Sequence, residues 1–455
     1  MTQTPNAAKA IAIETNDIEP IPAADRHGSA WHLFAVWTSA NLEYATIFVG
    51  IISVLFFGLS FPLAVAALVL GNLAGSLTHG WFSSWGPKAG VPQMILNRTA
   101  FGKFGNILPA GLTAITATVG WFAVNSLSGA FALKTLTGLD ISITLLIIVV
   151  VQIVVAMFGH NLIQLYERVA LFVLGAIFVV AAIVIFSQAN FNAAPLDGGT
   201  FPDFIGFTLA ASAAYGYTAG WTPYATDYTR YLPSATSAKR VGLAAGVGMF
   251  WSTTFLMVMG AAFVTIFPKG FAPADAIVEL YKTLGPVLGA LVMLAIAFGA
   301  VAANVLNVYS GAMSALAIGL NVGVKARRAI VAVVASVLGT TVAFMSIKDL
   351  GHSYEGFLLV IAYWVAPWLG IVATDKLLRR GQDLATVAAE GRENFAGVIA
   401  FVLATVLSIF FFSNQVMYTG YFAKTFPIGD LTPVVGFVLG AAIYAIAFKA
   451  LKVKK

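Results

Sequence analysis

Tyr215-Gly216-Tyr217-Thr218-Ala219-Gly220-Trp221-Thr222-Pro223 sets two glycines and a proline in the middle of an apolar stretch that begins near residue 204. Glycine weakens a helix, and proline removes one of its hydrogen bonds. A helix entering this stretch is therefore expected to break. In hydrocarbon each freed backbone group costs several kcal/mol, and a break is tolerated only where the chain is buried in protein or lines a wet cavity. Far upstream, Thr38-Ser39-Ala40-Asn41-Leu42-Glu43 interrupts another apolar stretch in the same manner. Interrupted segments at matching places in two halves are the best sequence pointer to the binding site of a secondary transporter.

Composition places these breaks in a bilayer. Of 455 residues, 59% are apolar and 10% charged, whereas soluble domains have roughly 45–50% and about 25%. The mean hydropathy of +0.89 agrees. A soluble enzyme, a nucleic-acid binder and a disordered scaffold are excluded together. The net charge of +6 would suggest nucleic acid only if it clustered on a polar surface, and no nucleic-acid partner is expected. The absence of cysteine excludes disulfides and thiolate chemistry. The histidines (His27, His32, His79, His160, His352) have no metal-ligand spacing, so neither a metal nor a cofactor is expected.

Residues 1–29 are polar, lack a signal-type apolar core, and read as a cytoplasmic tail. Twelve apolar segments follow, near 31–56, 62–83, 107–133, 141–159, 168–188, 204–226, 241–267, 285–318, 328–346, 355–375, 395–413 and 431–450. An even number puts both termini on one side. With that side cytoplasmic, the Lys/Arg residues divide 20 inside to 5 outside, as the positive-inside rule requires. A miscounted segment would scramble every sign downstream of it. The expected architecture is an all-α integral membrane domain over 30–450, with a five-residue tail at 451–455. Its parts are repeat one at about 30–190, an inverted repeat two at about 203–378, and two appended helices at about 394–450.

The rare polar residues at depth are the site candidates. Trp121 and Asn125 in segment three lie four apart and share a helix face that Thr118 extends. An indole is a platform for stacking, and an amide offers both donors and acceptors, which suits a planar heterocycle with mixed edges. Tyr217 and Trp221 in segment six straddle Gly220, so a break leaves open which of them faces the ligand. Asn304 and Asn307 in segment eight must be paired, by helix packing or in a shared polar cavity; the cavity is the preferred reading. Glu43 lies well inside segment one. It reads as a proton relay or ion ligand, or as an acid solvated near the membrane edge. Asp227 with Arg230 at the end of segment six, and Glu167 beside Arg168 between segments four and five, read as structural or gating pairs. No catalytic set is present: there are no paired aspartates on facing segments, no H-E-x-x-H and no serine with a nearby base. Twelve dissimilar segments also argue against a channel filter built from identical subunits.

Several of these motifs together resemble the nucleobase–cation symporter family 1, in its cytosine/purine permease branch. They are Ile18-Glu19-Pro20-Ile21-Pro22 with Arg26, Trp37-Thr38-Ser39-Ala40-Asn41-Leu42, Gly120-Trp121-Phe122-Ala123-Val124-Asn125, Trp221-Thr222-Pro223-Tyr224 with Asp227-Tyr228, and Asn304 through Ser310. The resemblance implies the leucine-transporter fold, with segments one and six broken and alternating access around a site between segments one, three, six and eight. By position, Trp121 looks like the stacking platform and Asn125 the hydrogen-bonding amide. Ser39 looks like a hydroxyl at the first break and Asn307 a polar contact from segment eight. Trp221 or Tyr217 would close the opposite face of the ring. A sodium site of the family type would use the carbonyls of Phe34 and Trp37 with hydroxyls of segment eight, but Ala302 and Ala303 offer no side-chain oxygen there. A proton is therefore favoured over sodium, with Glu43 as carrier. The expected partners are a small nucleobase and the lipid bilayer of the cell membrane, with no obligate protein partner. Hydantoin, allantoin, uracil and thiamine- or pyridoxine-like rings share the same size and flatness and remain alternatives.

Overall fold

The computed structural model describes residues 18–156, 160–196, 203–319, 324–347, 350–415 and 417–454. The tail residues 1–17, the end of segment four at 157–159 and the terminal Lys455 lie outside them. Helix occupies all twelve segments. Segment one is Ala30–Ser39 and Tyr44–Leu55; segment two is Phe61–Ser83. Segment three runs from Ile107–Ile115 through one wide π-helical turn, Thr116–Trp121, into Phe122–Thr137. Ile141–Ala156, His160–Gln188 and Asp203–Ala219 follow, then Ala238–Val264, Ala276–Ala317, Val324–Ser346, Leu350–Leu378, Phe395–Phe412 and Thr432–Ala450. Among the described residues, eight helices are long and apolar enough to cross a membrane, or nine if the bent pair of segment one counts as one. Segments four, six and nine contribute shorter pieces, so twelve crossings remain the expectation from sequence.

The interruptions have local causes. Segment one stops at Ser39, and the chain is extended at Glu43, whose carboxylate accepts the Ala45 N–H (2.8 Å) and so caps Tyr44–Leu55. The two halves bend by 57°. In segment six the helix ends at Ala219, Pro223 sits in a 3-10 turn (Thr222–Tyr224), and a short helix, Ala225–Thr229, continues. In segment eight, Gly285 takes φ +74° directly before Pro286. Ala276–Leu284 is thus turned away from the long helix that begins where the sequence places it. Segment five is longer than expected: its helix starts at His160, so Glu167 lies inside a helix rather than in a connector, and is fully buried.

The packing maps onto itself when five is added to each segment number. Segment one packs on seven and on five, as six packs on two and on ten. Segment three packs on eight, and four packs on three and eight as nine packs on eight and three. Segments eleven and twelve pack on each other and on ten. Such reciprocity is what two five-segment units with the same internal packing produce. The second half of segment one meets segment seven backbone to backbone. A Cβ on Gly50 would stand 1.8 Å from the Met257 carbonyl oxygen, and one on Gly260 would stand 2.0 Å from that of Ile47. Small residues at such crossings are how membrane helices approach closely.

The described part of the N-terminal tail is docked. Ile21 is buried, its N–H bonds the Gly90 carbonyl (3.0 Å), and Arg26 donates to the carbonyls of Ile21 (3.0 Å) and Pro87 (2.6 Å). The His27 N–H reaches the Tyr231 carbonyl at 2.6 Å, tying the tail to the end of segment six.

Candidate functional site

Trp121 ends the π turn and is buried among three rings. Tyr217 and Phe357 meet it edge-on, at 5.2 and 5.1 Å between centroids. Trp221 lies nearly parallel, with planes 13° apart and centroids at 6.4 Å. The break in segment six therefore gives Tyr217 and Trp221 different tasks. Trp221 presents its face to Trp121. Tyr217 presents an edge and donates its hydroxyl to Glu43 Oε1 (2.8 Å), with the Thr46 hydroxyl at 2.6 Å. Gly220 lies at the break, its N–H on the Gly216 carbonyl (3.1 Å), and a Cβ there would stand 3.1 Å from Ile361.

A polar network adjoins the rings. Asn125 Nδ2 donates to Asn304 Oδ1 (3.0 Å), and Asn307 Nδ2 reaches the same oxygen at 3.4 Å. Asn304 is spent on the protein: its Nδ2 contacts the Phe122 carbonyl (3.0 Å), Ser126 Oγ (3.3 Å) and Gln152 Oε1. It braces segments three, four and eight. Asn125 Oδ1, Asn307 Oδ1, Trp221 Nε1 and Thr222 Oγ1 are buried without a hydrogen-bond partner among the described residues. Buried polar atoms are normally paired, and these supply acceptors and donors beside the indoles.

Four sequence candidates face elsewhere. The Thr118 hydroxyl donates to its own helix at Ala114 (2.8 Å), and its methyl lies against Gly311 of segment eight, where a Cβ would come within 2.2 Å. The Ser39 hydroxyl donates to Glu167 Oε2 at 2.5 Å and is turned to segment five. Trp37, whose carbonyl a family-type sodium site would use, accepts there from Asn41 Nδ2 (2.6 Å) and Ser252 Oγ (3.3 Å), while a Cβ on Gly248 would stand 2.8 Å from the Phe34 carbonyl. Both carbonyls thus meet segment seven rather than segment eight. Below the site Arg230 is fully buried, with Nη2 on the hydroxyls of Tyr231 and Tyr309 (both 3.1 Å), and Asp227 Oδ1 accepts the Gln93 N–H (2.9 Å). These two side chains join segments six and eight and the loop after segment two.

Sequence reasoning misses Gln152 and reads His79, like the other histidines, as interfacial. Gln152 is the one amide in the Ile/Val run of segment four, a signal open to inspection. His79 is buried in segment two with its ring edge-on to Trp37 at 4.2 Å, and Trp37 in turn meets Trp221 edge-on at 5.7 Å. Among the described residues no group of His, Asp and Glu is arranged to hold a metal ion.

The chain is similar over its whole length to known transporters. It is 30% identical to the putative purine-cytosine permease YxlA of Bacillus subtilis, over 96% of this chain and 96% of that one. It is 28% identical to the purine-cytosine permease fcyB of Emericella nidulans, over 98% and 89%. Among solved structures it superposes on Mhp1, a nucleobase-cation-symport-1 family transporter in a closed conformation with bromovinylhydantoin bound. That match has a TM-score of 0.75 at 18% identity and covers 97% of this chain and 96% of that one, so it speaks for the fold. The family model described as permease for cytosine/purines, uracil, thiamine, allantoin matches residues 20–436. The protein is thus a membrane transporter of this permease family, within the nucleobase-cation symporters, and not an enzyme.

Proposed function

We propose that the chain imports a nucleobase, cytosine or a purine, across the cell membrane by cation symport, with both termini cytoplasmic. The facing indoles carry the reading. A planar ring between two aromatic faces needs about 7 Å between their planes, two contacts of about 3.5 Å each. The ring centroids of Trp121 and Trp221 are 6.4 Å apart with their planes nearly parallel, an arrangement that a nucleobase would enter as the two rings part. Asn125 and Asn307 then offer acceptors to its N–H edge. Alternating access follows from movement of the two five-segment units about this site. Uptake of labelled cytosine against a panel of unlabelled rings tests the substrate. Excess cytosine, adenine or hypoxanthine is expected to lower uptake about tenfold or more. Competition by uracil, allantoin or a hydantoin alone would transfer the assignment to that ring, and no competition by any of them would defeat it.

The proton is the favoured coupling ion, with Glu43 as its carrier. This carboxylate sits at the seam between the broken segments, bonded to the N-terminus of one half-helix and to Tyr217, whose ring touches Trp121. Protonation converts one carboxylate acceptor into a donor, which changes that seam beside the ligand. The bond from Ser252 of segment seven to the Trp37 carbonyl weighs against the sodium alternative. Glu43→Gln is expected to cut concentrative uptake about tenfold or more while leaving exchange of labelled for unlabelled substrate. Full uptake with the pH gradient collapsed, together with loss on removing sodium, would reverse the choice of ion.

A further inference from the structure

Far from the indoles, a cleft of about 550 Å³ opens where segments ten, eleven and twelve reach the side richest in lysine and arginine. Five basic side chains line it against two carboxylates, Glu390 and Glu393. Part of this charge is spent. Arg379 pairs with Asp375 (2.8 Å), Glu390 with Arg392 (3.0 Å), and Glu393 accepts the Phe104 N–H. Arg98, Lys452 and Lys454 have no carboxylate within ion-pair distance among the described residues. Arg98 Nη2 reaches only the Ala317 carbonyl (3.2 Å), and its Nε is buried without a partner.

The C-terminal wall of this cleft is built in place. Lys452 has φ +50°, the one non-glycine residue with left-handed backbone among those described, a conformation that side chains rarely adopt unless the surroundings impose it. Arg379 Nη1 holds the next turn through the Lys454 carbonyl at 2.9 Å. The outer wall is apolar and exposed: Phe395 is 64% and Ile399 43% accessible, on the first turns of segment eleven. Cations at the rim with greasy side chains immediately beyond them match a molecule that is anionic at one end and hydrocarbon at the other. Basic pockets between membrane helices bind such headgroups.

We propose that this cleft binds the phosphate of an anionic membrane lipid, with its acyl chains lying along Phe395 and Ile399. Native mass spectrometry of the full chain, equilibrated with equimolar phosphatidylglycerol and phosphatidylcholine in mixed micelles, reads the preference directly. Phosphatidylglycerol is expected to be retained about tenfold over phosphatidylcholine, and the preference should fall to near parity in the Lys452→Glu, Lys454→Glu double variant. Both side chains are exposed, so the fold should survive, which size-exclusion elution checks. Lys239→Glu with Arg240→Glu, exposed on the same side but away from the cleft, should keep the preference. Equal retention of the two lipids, a preference unchanged in the first variant, or an equal loss in the second would overturn the proposal. Displacement of the lipid by millimolar inorganic phosphate would identify a site for free phosphate instead and overturn the lipid assignment.

Discussion

Uptake per folded molecule is expected to fall about a hundredfold or more when Trp121 is replaced by alanine. Stacking of a base on one aromatic ring contributes about 1–3 kcal/mol by alanine substitution. Trp121 is the ring against which Trp221, Tyr217 and Phe357 are all set. Its loss removes one face of the stack and lets the other three collapse into the space, so an effect of about 3 kcal/mol is reasonable, near a hundredfold in affinity. A buried tryptophan also contributes to stability, and Trp→Ala commonly costs about 3–5 kcal/mol. Uptake must therefore be normalised to the monodisperse fraction at the membrane. Trp121→Phe serves as a second variant that keeps an aromatic face and should recover part of the activity. Normal uptake by folded Trp121→Ala would remove this residue from the site, and with it the indole-pair argument.

The second large effect concerns assembly. Gly50→Ala puts a methyl group 1.8 Å from the Met257 carbonyl oxygen, 2.7 Å from its carbon and 2.8 Å from the Ala261 nitrogen. All three are backbone atoms of a helix fixed from both ends, so nothing can swing away. The helices must separate, which forfeits the contacts along segments one and seven. Overpacking typically costs about 1–3 kcal/mol where side chains yield, and here the cost should exceed that. Little monodisperse protein is expected from Gly50→Ala. Gly111→Ala is the control, since a Cβ there meets only Ile318 Cδ1, at 3.9 Å, and it should elute and melt as the parent does. A Gly50→Ala protein with parental yield and melting temperature would show that the crossing is looser than drawn.

The two interruptions were readable because each is a local event: glycines and a proline in one, a polar run ending at Glu43 in the other. Trp121 and Asn125 were readable because four residues on a helix bring side chains to one face. The partners of these groups were not. Ser39 reads as a hydroxyl at a break, yet it is turned to Glu167, which lies 128 positions away. Asn304 reads as a ligand amide, but its bonds go to Ser126 and Gln152 on two other helices. Whether Tyr217 or Trp221 faces Trp121 depends on backbone angles at a break, which propensities do not encode. Segment five began eight residues early because His160 through Arg168 are polar enough to resemble a connector while still forming helix.

The π turn at Thr116–Trp121 leaves no mark in the sequence, and it has a consequence for how such a site can change over time. A π turn is an α-helix holding one surplus residue. Deleting one residue between 116 and 120 would restore ordinary winding while leaving the flanking helices, Ile107–Ile115 and Phe122–Thr137, close to their present phase. The residues of the turn itself would shift, and the packing of Thr118 on Gly311 with them. Gain or loss of a single codon at this point could thus re-aim one wall of the pocket without altering any side chain in it. Length variation there offers a way to fit a differently shaped ring into the same scaffold.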